Sequence, residues 1–257
     1  MAAVPNCGVR SVVVCTLVCE TGSTGSIPVG HPSRVKYLMK DFPALCIDDF
    51  YSDPDHVRNF ALSLDYSASP DGAWPGKRTA ELCDVDRNFF DEFCKKIFSL
   101  YFDLDHVHIN YVVSTRFQII NPLDEDKHSA KNTGWIHFDH DPFAGIIYLT
   151  PEIDRDCGTS LHQVSDPNKL DDSAKDDFYL HGIDNDYDQR LIDSNSGFTE
   201  TVRFQNIYNR LICFDGHTAH GANYLYTENL PRLTQVFFVK KLEVSAMGPM
   251  QRHRQFL

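Results

Sequence analysis

The spacing of hydrophobic residues changes period partway along the chain. Val57, Phe60, Ala61 and Leu64 recur at intervals of three and four, one apolar face of a helix. Ser52-Asp-Pro54 supplies its start, a capping side chain ahead of a proline in the first turn. A second stripe of Phe89, Phe90, Phe93, Ile97, Leu100 and Tyr101 predicts a helix over 86–102, packed on something large. From Val107 the period becomes two. Val107, Ile109, Tyr111 and Val113 alternate with polar residues, and Phe117, Ile119 and Ile120 continue the strand character. Short strands are expected at 44–50, 135–139, 145–150, 159–163, 198–207, 210–214 and 234–240. Two helices followed by seven or more strands predict an α+β fold, its strands closed into a sandwich or jelly roll.

The pattern divides the chain. Residues 1–35, rich in Gly, Ser, Thr and Pro, are expected to form a flexible leader or arm. Residues 36–106 carry the first strand and the supporting helices, 107–241 the β core, and 242–257 a C-terminal tail. Within the core, 165–197 holds nine Asp, no Glu and three cations (Lys169, Lys175 and Arg190), with no clear period. That stretch reads as a solvated acidic surface or as a lid.

Composition narrows the function classes. With 257 residues and 42% hydrophobic content, one sizeable core is affordable. A formal net charge of -12 argues against binding nucleic-acid backbones, and no apolar run reaches membrane-spanning length. The acidic insert would complement a cationic substrate. Eight cysteines are scattered without a C-x-x-C, which predicts reduced thiols and no cysteine-rich zinc module. Val12–Val18 after Arg10 has the outline of a signal peptide. Its core is short and interrupted by Cys15 and Thr16, so a cytoplasmic protein is expected, with secretion as the alternative.

The candidate chemistry lies in three places. His137-Phe-Asp139 sits in strand-like sequence, where i and i+2 share a face and reach one metal ion. Alone this says little, since 12 His and 36 acidic residues give about 1.7 such pairs by chance. His220 follows the turn glycine Gly216 and offers a third ligand from a distant strand; His217 is the competing choice. His140 and Asp141 extend the first motif toward a turn set by Pro142. Two imidazoles and one carboxylate on one side of an ion leave three adjacent positions open. Arg232-Leu-Thr234 then opens the next apolar strand, a guanidinium and a hydroxyl suited to gripping a carboxylate. Trp135 shares the His137 face and would either line the substrate site or lie in the core. His106, His108, His128, His162 and His181 have no usable partner spacing.

The order His137-x-Asp139, His220, Arg232-x-Thr234 resembles the Fe(II)/2-oxoglutarate-dependent oxygenases, particularly the prolyl-hydroxylase-like branch. The similarity includes Thr133-Gly-Trp-Ile-His-Phe-Asp139, Ile147-Tyr-Leu-Thr150, Gly158-Thr-Ser-Leu161 and Arg210, Leu211, Phe214 and Gly216 ahead of His220. It departs at Cys157, at Arg232 where many prolyl hydroxylases use Lys, and at Arg116-Phe-Gln-Ile-Ile-Asn121. The resemblance implies a double-stranded β-helix with His137, Asp139 and His220 as Fe(II) ligands. It implies that Arg232 pairs with the distal carboxylate of 2-oxoglutarate, aided by Thr234 and Tyr148. It further implies use of O2, stimulation by ascorbate, and hydroxylation of a small-molecule, amino-acid or peptide substrate with release of succinate and CO2. Two competing classes are a zinc hydrolase built on the same triad and a non-catalytic jelly-roll binding module. Oligomeric state is not legible.

Overall fold

The computed structural model describes residues 40–68, 74–122, 133–139, 141–170, 187–226 and 230–256. The elements begin with β1 (Leu45–Ile47), α1 (Pro54–Leu62), β2 (Ser67–Ala68), β3 (Lys77–Arg78), α2 (Leu82–Val85), α3 (Arg87–Ser99) and β4 (Ile109–Ile120). They continue with β5 (Phe143–Tyr148), β6 (Thr159–Val164), α4 (Tyr187–Asn195), β7 (Phe198–Phe204), β8 (Leu211–Asp215), β9 (Ala219–Ala222), β10 (Arg232–Val244) and α5 (Pro249–Arg254).

The larger sheet has the order β1-β8-β5-β10-β4-β3-β2 and the smaller β7-β6-β9. All pairings are antiparallel. From β4 onward the chain passes back and forth between the sheets, with segment 133–139 lying beside β9. This is a jelly roll, the double-stranded β-helix expected.

Alternation along the strands assigns each side of the larger sheet a task. Leu233, Phe237 and Val239 on β10, with Phe117, Phe143, Ile147, Leu211 and Cys213, pack against Val57, Ala61, Phe90, Phe93, Ile97 and Phe98 of the helices. The opposite face presents Ala144, Tyr148, Ile212 and Phe214 to Leu161 of the smaller sheet. The helices thus brace the outside of the sheet while its inside lines a cavity. Phe237 is fully buried, its ring 5.3 Å from that of Phe93 and 6.3 Å from that of Phe143. Phe237→Ala should therefore cost about 3–5 kcal/mol, seen as a lower urea midpoint at unchanged slope.

Helix starts follow the expected chemistry. Asp53 accepts from the His56 amide at 2.9 Å and Asp86 from the Phe89 amide at 3.0 Å. The helix expected over 86–102 is shorter than its apolar stripe: α3 ends at Ser99, and Asp86, with extended backbone, separates it from α2.

Three expectations need correction. Residues 135–139 do not form a strand. The segment is extended, but its backbone bonds run Gly134 to Ala222, His137 to His220 and Asp139 to Gly216, unequal steps that leave one isolated bridge. The stretch 165–197 contains α4, held by buried Leu191, and a 3-10 turn at Pro167–Lys169; its Asp-, Asn- and Ser-rich sequence hides the helix. Residues 242–257 are not a simple tail: β10 runs to Val244, and α5 docks through Arg252 on the Tyr101 carbonyl and Arg254 on the Lys40 carbonyl. The leader, residues 171–186 of the acidic insert (with Lys175 and His181), His128 and His140 lie outside the described residues.

Cys46, Cys83, Cys94, Cys157 and Cys213 are free thiols, the last three buried. No helix among the described residues is long and apolar enough to cross a membrane.

Candidate metal and carboxylate site

Segment 133–139 and β9 bring two imidazoles together. His137 and His220 exchange backbone hydrogen bonds, each N–H to the other's carbonyl at 2.9 Å, so their side chains project from facing positions. The rings lie 4.5 Å apart, centroid to centroid. Asp139, two residues on from His137, completes the group. One nitrogen or oxygen from each of His137, Asp139 and His220 lies within 4.8 Å of the others.

Each imidazole is oriented by its own backbone. His137 Nδ1 lies 2.9 Å from the Trp135 carbonyl oxygen and His220 Nδ1 3.0 Å from that of Thr218. A carbonyl only accepts, so each Nδ1 carries the hydrogen and each Nε2 presents a lone pair. Those Nε2 atoms stand 3.6 Å (His137) and 3.4 Å (His220) from the Asp139 oxygens. Burial raises the Asp139 carboxyl, but His220 and His137 beside it outweigh this and hold it well below the usual carboxylate range. Its Oδ2 is buried and accepts no hydrogen bond. With both imidazoles neutral, the three side chains present electron pairs toward one point, a donor set that fits a divalent cation.

The neighbouring histidine is excluded by a different contact. Asp215 accepts from His217, both its amide at 3.0 Å and its Nδ1 at 3.1 Å, and from the Asp41 amide at 2.7 Å and the Phe42 amide at 3.1 Å. His217 therefore serves the carboxylate that fastens the first described residues, and His220 joins the cluster. Gly216, between Asp215 and His217, is required by packing, because a Cβ there would strike the Asp141 carbonyl. Asp141 is not in the cluster either; it pairs with Lys240 at 2.9 Å. His106 pairs with Asp103 on the surface at 2.9 Å, exposed His108 precedes the first residue of β4, and His162 sits on β6 beside Phe198.

Arg232 and Thr234 share the inner face of β10 with Val236 and Phe238, and Arg232 lines the same cavity of about 120 Å³ as the triad. Arg232 Nε donates to the Cys157 carbonyl at 3.0 Å, and its guanidinium lies 5.6 Å from the Tyr148 ring. Among the described residues its Nη2, although buried, has no hydrogen-bond partner, and neither does the buried Thr234 hydroxyl. Leaving such donors unpaired is costly in a protein interior. Burial pulls the Arg232 pKa down, with Tyr148 and Cys157 opposing. Tyr148 donates its hydroxyl to Thr159 Oγ1 at 3.0 Å, so it supports Arg232 from below rather than reaching into the cavity. Trp135, 3% exposed, lines the cavity wall.

Four further residues at the site are not marked by the sequence pattern. Trp74, Arg78 and Gln118 line the cavity from β3, its approach and β4. Asn195 at the end of α4 accepts from the Ile136 amide and donates to the Gly134 carbonyl, both at 3.0 Å, along the outer edge of the segment that carries His137. The only advance signal for Arg78 was its place after Pro75-Gly76, a turn.

No curated protein matches the sequence. Among solved structures, the chain is similar to a prolyl hydroxylase from Trichoplax adhaerens in complex with a hypoxia inducible factor oxygen degradation domain peptide fragment. Identity there is 14% over 77% of this chain and 83% of that one, with a TM-score of 0.43. A Pseudomonas putida prolyl-4-hydroxylase gives 14% over 77% and 92%, TM-score 0.40. HygX from Streptomyces hygroscopicus, with nickel, 2-oxoglutarate and hygromycin B bound, gives 12% over 77% and 82%, TM-score 0.46. At the level of sequence, one family profile matches residues 31–234. The chain belongs to that family, described as DUF6445, a family of unknown function.

Proposed function

We propose that this protein is an Fe(II)- and 2-oxoglutarate-dependent dioxygenase that hydroxylates a C–H bond of a small-molecule, amino-acid or peptide substrate. The observation that carries this reading is the pairing of two unmet demands in one cavity. His137, Asp139 and His220, clustered as for a cation, line it together with Arg232; among the described residues Arg232 Nη2 and, two residues on along the strand, Thr234 Oγ1 have no hydrogen-bond partner. When bound, Fe(II) and 2-oxoglutarate would supply the oxidising chemistry, reducing O2 while 2-oxoglutarate becomes succinate and CO2.

The chain's own contribution is placement. His137, Asp139 and His220 would hold the ion on one side, leaving the rest of its surface toward the cavity. Arg232 and Thr234 would fix the distal carboxylate of 2-oxoglutarate through a charge-assisted fork and a hydroxyl donor. Val236, Phe238, Ile146 and Phe214 give the cavity apolar walls that exclude water. A zinc hydrolase would also use two histidines and a carboxylate. That reading assigns no task to Arg232 and Thr234, whose buried donors a carboxylate ligand answers directly.

Two measurements on the wild-type chain test the proposal. Mn(II) and 2-oxoglutarate together should raise the unfolding temperature beyond either alone, by linkage. Fe(II), 2-oxoglutarate, O2 and ascorbate should yield succinate even without a prime substrate, at a low uncoupled rate. A stabilisation by Zn(II) that 2-oxoglutarate does not increase, with no succinate formed, would favour the hydrolase.

A further inference from the structure

The cavity wall contributed by β3 and β4 has a second unmet demand. Arg78 lies opposite Gln118 in the β3–β4 register. Its Nε and Nη2 both donate to Gln118 Oε1, at 3.3 and 3.2 Å, and Gln118 is itself oriented by donating to the Pro75 carbonyl at 2.7 Å. The guanidinium stacks 4.4 Å from the Trp74 ring and 5.6 Å from that of Phe238. Gly76, with φ of 71°, makes the turn that brings Trp74 and Arg78 to the same wall. Arg78 is thus fixed in place by neutral groups. Among the described residues it forms no ion pair, and its Nη1 has no hydrogen-bond partner. Arg116, two residues before Gln118 on β4, differs: its charge is met by Glu81 at 3.0 Å. Beside Arg78, the buried Trp74 Nε1 has no acceptor among the described residues.

Desolvation pulls the Arg78 pKa down to about 9, with Arg116 acting the same way and Asp139 and Glu81 opposing. The guanidinium therefore stands in the cavity without full compensation for its lost hydration. Charge balance points the same way. The charged side chains lining the cavity are Arg78, Asp139 and Arg232, one net positive charge among the described residues. A divalent ion and doubly charged 2-oxoglutarate cancel each other, so one positive charge remains after both bind.

We propose that the substrate carries a carboxylate, and that Arg78 and Trp74 Nε1 are the groups that bind it; the charge balance, though not the two orphan donors, rests on the oxygenase reading. A planar guanidinium fork beside an indole N–H offers convergent donors and no acceptor, which suits a carboxylate and rejects its amide. The sign is opposite to the cationic substrate that the acidic insert suggested.

Both tryptophans of the chain, Trp74 and Trp135, line this cavity, so intrinsic fluorescence reports its occupancy. The full-length protein, loaded with Zn(II) and 2-oxoglutarate, is titrated with benzoate, phenylacetate and N-acetyl amino acids. Each probe is compared with its carboxamide, and benzoate with phenyl phosphate. Carboxylates should bind at least tenfold more tightly than the amides. Arg78→Gln should erase that preference, and Trp74→Phe, which keeps the stacking ring but removes the donor, should weaken it severalfold. Both variants should retain the wild-type thermal shift with Zn(II) and 2-oxoglutarate. Equal binding of acids and amides, no anion preference across the panel, or a preference that survives Arg78→Gln would overturn the proposal. Phenyl phosphate outbinding benzoate tenfold would replace the carboxylate with a phosphate. Should Arg78→Gln not fold, the wild-type selectivity and Trp74→Phe still decide. Absence of a 2-oxoglutarate-dependent thermal shift in the wild type counts against the oxygenase reading alone.

Discussion

Asp139→Ala should end both succinate release and the thermal shift produced by Mn(II), while the metal-free protein unfolds within a few degrees of wild type. The substitution removes the only carboxylate of the triad and leaves two imidazoles that still exchange backbone hydrogen bonds. Metal-assisted catalysis is worth several kcal/mol, so turnover should fall by at least ~10³-fold. The fold should tolerate the change because Asp139 Oδ2 accepts no hydrogen bond and no helix or strand depends on it. Succinate release at the wild-type rate by the folded variant would refute the triad as the metal site.

The second large effect belongs to Arg232. Arg232→Met keeps an unbranched side chain of similar reach but removes the charge and every donor. The KM for 2-oxoglutarate should rise ~10²-fold or more, in line with the roughly 2–5 kcal/mol lost when one member of a buried charge pair is removed. Without 2-oxoglutarate the sign should reverse. Among the described residues the buried guanidinium donates to the Cys157 carbonyl and leaves Nη2 an orphan, with no carboxylate against it, so a well-packed Met should leave the ligand-free protein as stable or more stable. Steady-state kinetics and thermal unfolding measured on one preparation check both halves. A Met variant with normal KM would show that the cosubstrate carboxylate lies elsewhere.

What the sequence reveals depends on whether a residue's neighbours along the chain are also its neighbours in space. His137 and Asp139 are legible because two-residue spacing in extended chain puts both on one side. Arg232 and Thr234 are legible for the same reason at the head of a long apolar strand. His220 emerges only from its distance to Gly216 and Arg232; what separates it from His217 is the Asp215 carboxylate, reserved by the amides of residues 41 and 42. Tyr148 was placed on the right strand, but its hydroxyl is taken by Thr159, a partner eleven residues ahead in another sheet. Arg78 was out of reach altogether. It belongs to a two-residue strand with no period to detect, and a cation after a Pro-Gly turn looks like a surface charge. Helix α4 is hidden because its Asp, Asn and Ser residues favour turns locally, while the burial of Leu191 and the anchoring of Asn195 sustain it.

The amide of Asn195 does for one metal-bearing segment what a whole neighbouring strand would otherwise do. By accepting from Ile136 and donating to Gly134, it satisfies the outward-facing peptide groups at that edge. An extended peptide from another molecule finds that row already occupied and cannot zip onto the sheet there. The acidic excursion between β6 and β7 can therefore differ in length and charge without opening the margin of the site, provided its last helical turn returns this one side chain to the same place.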